Sequence, residues 1–189
     1  LSSSSAASDV YKRQVKRANI VQDRRSIKRN LNLYVISEDT NGLLSQTAST
    51  VKNNLRAWLN KYKMINDTID ILDGRVANIA IQFEVLGETN KNPNEVLLAS
   101  LTALKNEFSE HFSFGQPFYI SDIYRLLNDL PEVLDTKTVR IKSQYGTNYS
   151  STDYEAEENI SSDGRFVKVP EDVVLEVKYP DVDIIGVVI

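Results

Sequence analysis

The segment Val76–Leu86 limits the fold more than any other, because Ile79, Ile81, Phe83 and Val85 alternate with Ala80, Gln82 and Glu84 as a long strand requires. A well-marked helix start follows it. Asn92 can cap, Pro93 takes the first helical position, and Glu95 stands three residues after the cap. Leu97, Leu101, Leu104, Phe108 and Phe112 then fall on one helical stripe, which must be buried against something. Phe114–Pro117 breaks that helix through its Gly and Pro. A strand feeding an amphipathic helix is the unit from which an α+β layer is built.

The rest of the chain repeats this grammar. Residues 15–30 form a basic segment leading into the sheet, with Lys16, Arg17, Arg24, Arg25, Lys28 and Arg29 against Asp23 alone. Leu31–Ser37 alternates as a strand, with Leu31, Leu33 and Val35 on one face, and Asp39–Gly42 is a turn. A helix is expected over residues 48–63, capped by Ser45 or Thr47 and burying Val51, Leu55, Trp58, Leu59 and Tyr62. Thr68–Leu72 reads as a short strand, ended by a turn at Asp73 and Gly74, glycine favouring positive φ. Ser121–Asn128 is a short helix with Ile123, Tyr124 and Leu127 inward, and Thr136–Ser143 is another strand.

From Gln144 to Ile160 the chain turns polar, with an acidic knot at Glu155, Glu157 and Glu158. Asp163 and Gly164 signal a turn, and strands are expected at Arg165–Val169, Val173–Tyr179 and Asp183–Ile189. The expected fold class is therefore α+β. Residues 31–144 would form a small mixed or antiparallel sheet carrying two long helices and one short helix on one face. Residues 145–189 would form a β-rich C-terminal extension.

The first fourteen residues stand apart from this pattern. Read back through the genetic code, Ser4–Gln14 reproduces the adapter ligated by transposase-based sequencing kits, so residues 1–14 are read as translated adapter and natural sequence as beginning near Val15. On that reading the chain is a fragment recovered from sequencing reads. Setting aside Asp9, Lys12 and Arg13 leaves 20 basic and 25 acidic residues, a mild acidity that disfavours a nucleic-acid-binding module. There is no cysteine, which excludes disulfides, thiol catalysis and thiolate zinc sites. No apolar run approaches the roughly 20 residues that span a bilayer.

The chain offers little to build an active site from. His111 is its single histidine and is expected near a helix end, where an imidazolium meets the helix dipole favourably. Asp67, Asp70 and Asp73 recur every three residues, but apolar residues stand where a calcium loop needs ligands, so Asp70 reads as the wet face of a strand. No phosphate-binding glycine loop, nucleophile elbow or zinc-protease motif is present. The chain is accordingly read as a non-enzyme, with no catalytic, cofactor-binding or metal-binding residue assigned and no cofactor expected. The alternative is a polyanion-binding module using residues 16–29, although that run holds no aromatic on which bases could stack.

Five blocks in order carry a family resemblance: Leu31–Ser37, Val51–Tyr62, Met64–Asp73, Gly115–Tyr124 and Leu175–Asp181. In sequence and spacing they resemble the baseplate J-like family. Within it they resemble the C-terminal region of the wedge subunit of T-even-type contractile-tailed phages, the gene-product-six type. The resemblance implies a structural role in the virion tail baseplate, assembled in the bacterial host cytoplasm. Its implied partners are a second copy of the chain and other wedge proteins, which build the baseplate ring. It implies no catalytic residues, small-molecule substrate or membrane, and makes nucleic acid an unfavoured partner.

Overall fold

The computed structural model describes residues 15–23, 30–64, 67–108, 112–152 and 154–189. The adapter-like residues 1–14, His111, and Arg24, Arg25, Lys28 and Arg29 of the basic segment lie outside them. The fold is α+β, as the strand and helix patterning predicts. It divides into two compact units: one is the chain up to Val76 with Glu171–Val173, the other Ala77–Pro170 with Val174–Ile189.

The first unit is a four-stranded sheet with one helix. Its strands are β1 (Arg17–Gln22), β2 (Asn30–Glu38), β3 (Leu44–Ser45) and β4 (Thr68–Asp73), and β2 is the hub. β1 and β3 run antiparallel to β2, whereas β4 runs parallel to it and pairs Leu33 with Ile71 and Val35 with Asp73. A parallel neighbour needs a crossover, and helix α1 (Ser49–Leu59) supplies it. Leu55 and Leu59 pack on a small core of Leu33, Val35 and Ile71. The β2–β3 loop is built by Asp39, whose Oδ1 accepts from the amides of Asn41 and Leu43 at 2.8 and 2.9 Å. Gly42 beside it has φ +82°, a value that sets glycine there.

Three local expectations change in this unit. The start of the basic segment is itself strand β1; its Lys16 is drawn to Glu38 at 2.6 Å. Thr47 does not cap α1. It is buried and accepts from the Ser37 hydroxyl at 3.0 Å, which leaves Ala48 at the cap with no side-chain bond. Asp73 and Gly74 form no positive-φ turn; the Gly74 amide donates to Val35 O at 3.0 Å, and the next strand joins a different sheet.

That strand, β5 (Arg75–Gly87), is the spine of the second unit. It pairs antiparallel with β7 (Val133–Ser143), parallel with β10 (Ile184–Val188), and also with β9 (Val173–Glu176). A separate ribbon joins β6 (Phe118–Tyr119) to β8 (Phe166–Val167). Because β9 and β10 pair with β5, residues read from sequence as an extension belong to the same sheet as residues 77–143. The inward row Ile79, Ile81, Phe83 and Val85 is buried as its alternation demands, but Ala80 is buried too, so this part of β5 is covered on both faces.

Helices α2 (Pro93–Glu107) and α3 (Ile120–Asn128) pack on β10 and β7 respectively. Asn92 caps α2 by accepting from the Asn94 amide at 3.0 Å. The deepest line of α2 is Val96, Ser100 and Leu104, about a residue's rotation from the expected leucine stripe. α2 ends at Glu107, yet Phe108 and Phe112 stay partly buried, each 5.4 Å from the ring of the buried Phe118. α3 buries Ile120, Ile123 and Leu127, and Tyr124 is half-buried. A four-residue helix, α4 (Pro180–Asp183), replaces the expected break between the last two strands. No helix among the described residues is long and apolar enough to cross a membrane.

Candidate interaction surfaces

The carboxylates singled out from sequence are scattered on ordinary partners. Asp70 is exposed on β4 and accepts from Asn30 Nδ2 at 2.8 Å, while Asp73 Oδ2 takes the Lys52 ammonium at 2.7 Å. Among the described residues no three His, Cys, Asp or Glu side chains are grouped to hold a metal ion. In the acidic knot, Glu157 accepts from both the amide and hydroxyl of Ser143, at 2.9 and 2.7 Å. Burial pushes its carboxyl up, but the Ser143 bonds and Lys142 outweigh it, so its pKa falls below the usual carboxylate value.

Two carboxylates that the sequence hid are the buried ones, Glu176 and Asp183. Glu176 accepts from Asn78 Nδ2 at 2.8 Å, and Asn78 Oδ1 in turn accepts from the Ser150 amide at 2.7 Å. Asp183 accepts from the Tyr149 hydroxyl at 2.7 Å and from the Tyr179 amide at 2.8 Å. The Asp183 bond, with burial and the negative charge itself, pushes the Tyr149 phenol up to about 12. Both carboxylates thus clasp the polar segment around residues 148–150 onto β5, β9 and α4. Glu176 lies between Leu175 and Val177 and reads in sequence as a solvent position, because its partner Asn78 is distant in the chain.

What the surface presents instead is apolar. β10 is an edge strand with β5 as its sheet neighbour, and Ile185, Val187 and Ile189 are each half exposed along one side of it. Ile189 N donates to Val85 O at 3.0 Å, and in a parallel pair successive residues alternate, so Gly186 and Val188 turn their backbone groups away from β5. No charged residue lies within Ile184–Val188. The opposite edge is engaged at two points. On β7, the Val139 amide is held by Tyr124 Oη at 3.0 Å and the Ser143 amide by Glu157. Natural sheets block free edges in this way, and an unblocked one pairs readily with another chain.

The second apolar surface is the outer flank of α1. Of the five residues expected inside, Trp58 and Tyr62 remain 47% and 70% exposed, their rings packed on each other at 4.8 Å. The two-leucine line already covers the small core of that unit, so there is nothing left for the rings to enter. The basic run of residues 16–29 is described at Lys16 and Arg17, and Lys16 is engaged by Glu38.

A search of family models finds none that matches the chain, and no curated protein matches it.

Proposed function

We propose that the chain is a structural component of a contractile-phage tail baseplate wedge. It self-associates and binds other wedge proteins to build the baseplate ring. It acts through surfaces and not by turnover, in the virion tail after assembly in the host cytoplasm. The reading starts from the resemblance of the five sequence blocks, which fall on β2, α1, β4, the β6–α3 junction and β9–α4.

The observation that carries the assembly role is the β10 edge. An uncharged strand with Ile185 and Val187 outward and backbone groups turned from its neighbour suits strand addition by a partner chain. Such edges are hazards in a protein that stays alone, and Lys, Pro or a bulge usually interrupts them. Light scattering of the chain across a concentration series tests the reading. Growth in mass with concentration, lost on Val187→Lys, is the expected result; a monomer throughout, with and without candidate wedge proteins, would contradict it.

A further inference from the structure

From the α1 flank we infer a second docking surface, for an acidic protein segment that carries an apolar anchor. The inference takes from the scaffold reading only its choice of a protein as partner.

The helix presents more apolar surface than its unit can cover. Leu55 and Leu59 fill the contact with Leu33, Val35 and Ile71, and the stripe continues past it to Trp58 and Tyr62. Met64, 73% exposed, extends the same end of the helix. Residues 49–64 hold four basic residues and no acidic one, in a chain whose net charge is −4. Lys52 is already paired with Asp73, while Lys61 and Lys63 flank Tyr62 directly in sequence and Arg56 lies on the preceding helical turn. Trp, Tyr, Met and Arg are the residue types that anchor protein interfaces, and an uncompensated basic rim selects and steers an acidic partner.

The geometry favours protein over nucleic acid. Single strands stack bases on parallel, open aromatic faces, whereas Trp58 and Tyr62 pack on each other with their planes tilted by 47°.

Trp58 is the single tryptophan of the chain, so its emission reports this surface alone. The test titrates the full chain with a short peptide of Glu interspersed with Leu and Phe, followed by Trp58 emission and by anisotropy of the labelled peptide. The expected result is a blue shift, and binding that weakens steeply with salt. Trp58→Ala, read by anisotropy, weakens binding about tenfold or more, as removal of an interface anchor does. The charge reversal Arg56→Glu with Lys61→Glu and Lys63→Glu abolishes binding. The milder pair Lys61→Gln and Lys63→Gln, with unchanged circular dichroism, weakens it and separates lost charge from lost fold. Four results would each overturn the inference: no response to the peptide, equal binding of an all-Glu peptide, tighter binding of oligothymidylate, or a blue shift driven by protein concentration alone. If the charge-reversed chain still assembles with wedge partners, the scaffold reading stands and this surface is dispensable. If the peptide binds while no assembly forms, the reverse holds.

Discussion

Asn78 on β5 donates to Glu176 on β9 at 2.8 Å, and both side chains are almost wholly removed from solvent. The same Asn78 accepts from the Ser150 amide, and its carbonyl accepts from Gln144 N at 2.8 Å. One residue therefore ties a buried acid to both ends of a polar loop. Replacing it with Ala removes the Glu176 and Ser150 bonds at once and strands buried polar atoms, costing about 2–4 kcal/mol. Urea denaturation gives the loss, and hydrogen exchange should show residues 144–152 opening before the sheet. A cost near zero would mean that the clasp contributes nothing.

Gly186 pairs with Phe83 across the β10–β5 ladder and leaves its ring no room for a side chain opposite. A Cβ at that position would run into the ring, which is itself buried in the core of its unit. Gly186→Ala should destabilise the protein by about 1–3 kcal/mol, as overpacking does. Adding Phe83→Leu makes room for the new methyl. In a double-mutant cycle by thermal denaturation the two changes should couple favourably, each relieving part of the other's cost.

Tyr149 gives a pH signature. The Asp183 bond, burial and the Asp183 charge favour the neutral phenol and push it up to about 12 from an ordinary value of 10.0. A raised folded pKa contributes stability that is complete below the unfolded value and lost as pH rises through the folded one. The stability due to this pair should therefore be present below pH 10 and decline towards pH 12. Tyr149→Phe should flatten the alkaline decline, measured by denaturation at stepped pH. An unchanged slope would contradict the assignment.

Tyr124 guards the β7 edge through its 3.0 Å bond from the Val139 amide. Tyr124→Phe keeps the ring and removes the acceptor, at a cost of about 1 kcal/mol. It should also raise concentration-dependent turbidity, since the opened edge can recruit a second chain.

These predictions fall mostly on contacts that the residue pattern does not announce. Strands β2, β5 and β7 were legible because alternation follows directly from one face being buried. α2 was legible in extent but not in rotation. Ser100 sits on its deepest line and hides its hydroxyl on Val96 O at 2.8 Å, so hydropathy alone points to the neighbouring leucines. β1 was missed because an edge strand that begins at Arg17, directly after Lys16, looks like a solvated charge run. Trp58 and Tyr62 follow the helical stripe faithfully, yet the four-stranded unit is too small to enclose them. Glu176 and Asp183 were hidden for the opposite reason: their partners come from residues far away in sequence.

The central claim is that this chain is built to be joined by others. Native mass spectrometry of the chain co-expressed with the proteins encoded beside it tests that most directly. A stoichiometric complex, or a ring-forming oligomer, that dissolves on Val187→Lys is the predicted result. A monomer that ignores every neighbour, with the wild-type sequence and the variant giving the same spectrum, would contradict it.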